Sequence, residues 1–413
     1  MTGRPEEKLA CVESCSVTKL QQKVDDVLGT VRSTARSIGQ AALAISPWVP
    51  TRGPSTSASV TAQLITDEFG RRTPGAVCDS AVPLDGTTGT TDRRRLGLRW
   101  NDTGTAADLP KSVFVKSTPL SAKNRLMVAP LDMSVNEVRF YRQIRPELDG
   151  HAPKCWYTYS GPGARHLLVL EDLVAQGCTP YALADHCEVE HARAVLVAHA
   201  ALHAPMWDSP RLQTDLRWAK RWSQRPGYAA LLLMYRRGRN AYIKSGRREL
   251  DATAHHLVEV LNRHDTALYR ALEQGPSTIL HGDPHLGNTY SLPNGEAGLL
   301  DWQVVWQGPG MRDVTYFLLS ALDPDERRKS QDGLIRTYLD ALAERGVTAP
   351  SFDAAFQQYR LFAAELFDAG AILATWPGLQ APQNVEAVLR RGTSCFTDLD
   401  VADAVKQAAA RLR

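Results

Sequence analysis

Residues 279–301 read ILHGDPHLGNTYSLPNGEAGLLD. Apolar Ile279 and Leu280 lead into His281, Gly282 and Asp283. Asn288 lies further along the same polar stretch, and Asp301 closes the apolar run Gly298, Leu299, Leu300. An apolar start, a segment rich in Gly, Asp, Pro and Asn, and a Pro-Asn-Gly turn before a second apolar run spell a strand, a polar loop and a hairpin. The return strand of that hairpin ends in a carboxylate.

Asp283, Asn288 and Asp301 are the oxygen-bearing groups that phosphoryl transfer needs. One carboxylate orients, and can deprotonate, an acceptor hydroxyl. An amide oxygen and a second carboxylate hold Mg²⁺ between phosphate groups. Short loops on adjacent strands bring such residues together although Asp283 and Asp301 are 18 positions apart.

The Asp-to-Asn interval followed by a metal-binding Asp is also that of protein kinases. Here His-Gly-Asp stands for His-Arg-Asp, and Asp301-Trp302-Gln303 stands for Asp-Phe-Gly. HGDPHLGN followed by LLDWQ resembles the aminoglycoside phosphotransferase and choline kinase superfamily. The DWQ form and the downstream GPGMRDVTYFL most resemble its ecdysteroid-kinase-like branch. The resemblance implies an α+β, protein-kinase-like two-lobe fold, with a mixed, β-rich N-terminal lobe and a mostly helical C-terminal lobe. It also implies transfer of a phosphoryl group to a small-molecule alcohol, with ATP and Mg²⁺ as cofactors and GTP as an alternative donor. An inactive nucleotide-binding pseudokinase or scaffold is the competing reading, and retention of Asp283, Asn288 and Asp301 favours activity. Gly282 in place of the kinase arginine argues against control by a phosphorylated activation loop.

The resemblance implies roles for further residues. Lys116, at the end of the strand-like SVFVKS (112–117), corresponds to the lysine that contacts ATP phosphates, and Glu137 is the acid that orients it. Gly86 and Gly89, within DGTTGTT (85–91), would let backbone amides approach phosphate. Their spacing is neither that of a Walker loop nor that of a protein kinase, so a plain polar turn is the alternative. The backbone near Glu171 and Leu173 would meet the adenine edge. His281 and His285 support the catalytic loop, Asp313 anchors it, and Trp302 and Gln303 line or support the site.

Outward from this centre, residues 1–58 read as a helical extension and linker, residues 59–173 as the nucleotide-binding lobe, and residues 174–413 as the catalytic and acceptor-binding lobe. The extension is read as packed on the body, with a homodimer contact as its alternative. Strands are expected over 77–84, 94–100, 156–160 and 166–170, and helices over 188–203, 228–235, 254–272, 314–322, 327–345, 351–374 and 398–412. Asp208 to Pro226 is rich in Trp and Arg and is open to two readings, an acceptor pocket or ordinary packing. Leu361 and Glu365 are further candidates for the acceptor cleft, with core burial as the default reading of the apolar Leu361. His199 and His203 share a helix face, but no acidic or cysteine partner stands near them in sequence, so they are read as core.

With 413 residues and a net charge of +3, the chain gives no case for nucleic-acid or membrane-surface binding. No stretch of about 20 apolar residues predicts a membrane span. The seven cysteines form no CxxC pair, which points away from structural zinc and toward a reducing, cytoplasmic setting.

Overall fold

The computed structural model describes residues 35–46, 53–89, 91–148, 150–225, 228–246, 252–376 and 380–412. Most of the N-terminal extension therefore lies outside the described residues. Its described part, helix α1 (residues 35–45), packs on the body: Gly163 N–H donates to Gln40, and Arg165 and Arg125 donate to the carbonyls of Leu43 and Ala44.

Helix α2 (Ala62–Gly70) precedes a five-stranded antiparallel sheet. Its strands are β1 (Cys78–Thr88), β2 (Asp92–Trp100), β3 (Ser112–Ser117), β4 (Cys155–Ser160) and β5 (His166–Glu171), in the order β1-β2-β3-β5-β4. Three helices interrupt it: α3 (Asp102–Ala106) between β2 and β3, then α4 (Ala122–Val128) and α5 (Met133–Gln143) between β3 and β4. Successive side chains of a strand point to opposite faces, and here both faces are used. Val113, Val115, Leu167 and Val169 pack outward with Ile65, Phe69, Leu96 and Trp100. Leu168 and Leu170 join the large core on the other side. Lys116 follows Val115 and so takes the inner face, opposite Leu168 in the register.

After the two-residue β6 (Thr179–Pro180), the chain is mostly helical. Helices α6 (Val189–His203), α7 (Tyr228–Lys244) and α8 (Ala252–Leu272) come first. Short strands β7 (Thr278–Leu280), β8 (Thr289–Ser291), β9 (Ala297–Leu299) and β10 (Trp306–Gly308) follow, and then α9 (Met311–Ala321), α10 (Pro324–Glu344), α11 (Phe352–Thr375), α12 (Pro382–Thr393), α13 (Cys395–Asp398) and α14 (Val401–Arg411). A mixed sheet region before a helical region is the two-lobe architecture expected from the sequence.

The stretch that opened the sequence reading folds as two strand pairs. β8 and β9 form the hairpin, with Thr289 opposite Leu299, and β7 is paired antiparallel with β10, Leu280 facing Trp306. The loops after β7 and β9 thereby emerge side by side. One expectation shifts: β1 runs past Leu84 through Gly86 to Thr88, with an irregularity between Pro83 and Asp85. Asp85 to Thr88 are thus strand. Among the described residues, no helix is long and apolar enough to cross a membrane, and Cys78, Cys155, Cys178, Cys187 and Cys395 are free thiols.

Candidate functional site

Lys116 Nζ donates to Glu137 Oε1 at 2.8 Å and to Asp301 Oδ1 at 2.9 Å. Lys116 and Glu137 are buried, while the Asp301 side chain keeps 24% of its surface exposed. Burial alone would discharge Lys116, but Asp301 and Glu137 outweigh it and lift the ammonium above its ordinary value. Burial pushes the Asp301 carboxyl up, and the charge and hydrogen bond of Lys116 more than reverse this, leaving it below the usual carboxylate range. Glu137 is pushed up by burial, with Lys116 pulling the other way. Asp301 also has φ +69°, a left-handed conformation that Asp tolerates better than most side chains. Its neighbour Trp302 is fully buried and stacks on Phe140 of α5 at 3.6 Å between ring centres.

The loop after β7 is fixed from below by Asp313 at the start of α9. Its carboxylate accepts the N–H groups of His281 at 2.6 Å and Gly282 at 3.3 Å. Burial raises the Asp313 carboxyl, but His203 and Arg312 bring it well below the usual range, so it stays ionised. His203 Nε2 lies 3.4 Å and His199 Nδ1 4.0 Å from Asp313 Oδ2. The acidic partner that the sequence reading found missing beside these histidines therefore comes from a distant helix. The His281 ring receives Asp283 N–H on Nδ1 at 3.3 Å, which fixes Nε2 as the protonated nitrogen donating to the Leu300 carbonyl at 2.9 Å. Gly282 has φ +88°, and a Cβ there would run into the Val304 carbonyl.

Asp283 keeps 38% of its side chain exposed. Tyr316 O–H donates to its Oδ1 at 3.2 Å, and His285 Nε2 lies 3.6 Å from its Oδ2. Asn288 donates its Nδ2 to the Asp283 carbonyl at 2.8 Å, which turns Oδ1 away as a spare acceptor. Among the described residues, neither Asn288 Oδ1 nor Asp301 Oδ2 accepts a hydrogen bond. An amide oxygen and a carboxylate oxygen left open in this way suit a hard cation such as Mg²⁺.

The hairpin residues expected to cover phosphate sit at the exposed end of β1 and β2. Gly86 pairs with Arg94, and a Cβ on it would come 2.7 Å from the Arg93 carbonyl, so close packing across the strands already requires glycine there. The Gly89 carbonyl accepts Asn124 Nδ2 at 2.6 Å. Glu171 ends β5 and accepts Lys154 N–H, and the Leu173 carbonyl accepts Cys178 N–H at 2.9 Å. Between them Asp172 binds Arg95 and Ser112, which ties this connection to the sheet.

The sequence reading had no signal for Tyr316, or for the position of Arg312. Arg312 donates to the Gly282 carbonyl at 2.6 Å and forks onto Glu365 of α11, its closest contact being 2.8 Å. Both sit within an unbroken helical pattern that does not reveal which face meets the loop.

The model of the ecdysteroid kinase-like family matches residues 93–210 and 228–347, more than half of the chain. The chain belongs to the ecdysteroid kinase-like family. That match contains every residue of this site except Gly86, Gly89 and Glu365. Solved structures resemble this family member over most of its length. A putative aminoglycoside phosphotransferase from Ralstonia eutropha is 13% identical, with 84% of this chain and 99% of that one covered and a TM-score of 0.47. A macrolide 2'-phosphotransferase from Brachybacterium faecium is 16% identical, with 80% and 97% covered and a TM-score of 0.44. An ethanolamine kinase from Plasmodium vivax is 11% identical, with 78% and 83% covered and a TM-score of 0.48. No curated protein matches the chain.

Proposed function

We propose that this ecdysteroid kinase-like protein is an ATP- and Mg²⁺-dependent O-phosphotransferase whose acceptor is a hydroxyl of a small molecule. The observation that carries the reading is the meeting of Lys116 with Glu137 and Asp301 at 2.8 and 2.9 Å, next to a loop that presents Asp283 and Asn288. Mg²⁺ held by Asn288 Oδ1 and Asp301 would neutralise charge on the β- and γ-phosphates. Lys116, kept charged by its acidic neighbours, donates to phosphate oxygens. The strand end at Gly86 and Gly89 covers the phosphates, and the backbone around Glu171 and Leu173 meets the adenine.

Asp283 accepts a hydrogen bond from the acceptor hydroxyl and aims its oxygen at the γ-phosphorus. The bond from that phosphorus to the bridging oxygen breaks as the bond to the acceptor oxygen forms. ADP leaves, and the hydroxyl proton passes through Asp283 to water. Tyr316 occupies Asp283 Oδ1, which leaves Oδ2 for the acceptor. His281 and Asp313 hold the loop, and His285 borders it. Dependence on ATP and the free thiols fit a cytoplasmic setting.

Incubation with Mg²⁺-ATP, or Mg²⁺-GTP in parallel, and a broad panel of hydroxyl-bearing metabolites tests this, with mass spectrometry reading a phosphate adduct. Adduct formation that requires Asp283 supports the reading. Nucleotide binding with every alcohol left intact would assign a non-catalytic scaffold instead.

A further inference from the structure

The connection before α7 and strand β10 bring an aromatic wall to the far side of the catalytic loop. The rings of Trp222 and Trp306 meet edge to face at 4.5 Å, and Tyr269 stacks on Trp222 at 5.9 Å. Trp222, Tyr269, Trp306, Arg312, Phe362 and Glu365 border one narrow cavity. This wall adjoins the reaction centre. A Cβ on Gly282 would lie 3.3 Å from Trp306 Nε1, and Gly282 precedes Asp283.

The charges at this corner do not balance. The Arg225 guanidinium lies 3.9 Å from the centre of the Trp306 ring and 5.2 Å from that of Trp222. Among the described residues it donates no side-chain hydrogen bond and pairs with no carboxylate. Arg312 approaches the same Trp306 ring at 4.5 Å, and Glu365 is already taken up by Arg312. Burial, and then the like charge of Arg312, bring Arg225 down to about 9, yet a guanidinium keeps its proton at neutral pH. Stacking on tryptophan accounts for where Arg225 sits but supplies no anion.

A second observation points the same way. Among the described residues, the indole N–H groups of Trp222 and Trp306 are both buried without an acceptor, and Trp306 as a whole is 5% exposed. Buried donors are ordinarily satisfied. Gln307 Oε1, whose amide nitrogen goes to the Leu212 carbonyl, is an acceptor without a partner among the described residues. The balance is therefore two donors and a spare positive charge against a single acceptor.

We propose that the acceptor is an anionic alcohol: a ring-containing, largely apolar molecule that offers its hydroxyl to Asp283 and a carboxylate to Arg225, with the indole N–H groups as further donors along the wall. This rests on the kinase reading and narrows its substrate class. Ammonium-bearing alcohols are disfavoured, because their charge would face Arg225 and Arg312. The bonds made and broken are those of the transfer described above, and the product carries its carboxylate and a new phosphate monoester.

The test uses the full chain with Mg²⁺-ATP and three acids, 4-(hydroxymethyl)benzoate, 3-hydroxy-3-phenylpropanoate and cholate. Each is compared with its methyl ester and with the amine that replaces the carboxylate. Binding is read by calorimetry and transfer by mass spectrometry. At least one acid is expected to bind, with kcat/KM on the order of 30-fold above its ester and the amine weaker still. Arg225→Gln should bring the acid-to-ester ratio close to one, mainly through KM, and Arg225→Lys should retain part of it. Circular dichroism melting confirms that each variant is folded. Preference for esters or amines, failure of every acid to bind, or an acid-to-ester ratio untouched by Arg225→Gln overturns the proposal. Acid binding that depends on Arg225 without any phosphate transfer leaves the anion site standing and sinks the kinase reading instead.

Discussion

Lys116 Nζ and Asp301 Oδ1 lie 2.9 Å apart across 185 residues of sequence, which fastens the inner face of β3 to the loop that follows β9. Glu137 of α5 shares the same ammonium at 2.8 Å. Lys116→Met leaves two carboxylates facing each other with no cation. Turnover should fall by roughly 10²-fold or more. Stability should drop by up to about 3–5 kcal/mol, the cost of breaking a buried pair from one side. Steady-state kinetics and urea unfolding of the same preparation check both.

Among the described residues, Asp283 makes one hydrogen bond through its side chain, from Tyr316, and it is partly exposed. Asp283→Asn should therefore cost about 1 kcal/mol or less in stability. Phosphate transfer should fall by about 10²- to 10⁴-fold, the usual weight of a positioned acid–base group. Turnover within tenfold of the parent would remove Asp283 from the chemistry.

Gly282→Ala adds a methyl group at φ +88° against the Val304 carbonyl, in the loop that Asp313 holds by two N–H groups. A destabilisation of roughly 1–3 kcal/mol is expected, with loss of turnover as the loop is displaced. Thermal melting and single-turnover rates would show it. A variant that melts and turns over like the parent would mean that the loop tolerates the change.

Burial holds His166 and His191 down to about 4 and His199 down to about 3. Unfolded, each takes up a proton near pH 6.5. Below that pH the unfolded chain binds more protons than the folded one, so stability should fall as pH drops from about 6.5 toward 4. Asp313, whose carboxyl is depressed in the fold, adds a further loss as pH falls below about 4. Among the described residues, both ring nitrogens of His199 lack a hydrogen-bond partner. His199→Leu should make the decline from pH 6.5 to 4.5 shallower, as read from Tm against pH. Parallel curves for parent and variant would exclude His199 as a source of the slope.

Much of this architecture was legible because it is local. SVFVKS alternates, and Val113 and Val115 pack on one face of the sheet while Lys116 takes the other. The hairpin that ends near Asp301 follows from a Pro-Asn-Gly turn between short apolar runs. The extension of β1 past Leu84 was hidden because Asp85 and Gly86 are poor strand formers, and pairing with β2 overrides that preference. What sequence spacing could not show was contact between distant segments. His203 meets Asp313 across 110 residues, and Arg312 meets Glu365 across 53. A helical period marks a buried face without naming the partner on it. Arg225 was visible only as one of many charges in a Trp- and Arg-rich stretch, and its lack of a counter-ion among the described residues emerges only when the neighbouring rings and carboxylates are placed.

Arg312 grips the Gly282 carbonyl with one arm of its guanidinium and Glu365 with the rest. The long helix that carries Glu365 and the backbone beside Asp283 are thereby tied to one side chain. On the proposed kinase reading, exchanging side chains around this clamp, such as Phe362 or Leu272, would change which acceptor fits while the clamp holds the Asp283 loop. On that reading, changes of acceptor would fall at the rim of the cavity, with the Arg312–Glu365 joint left in place.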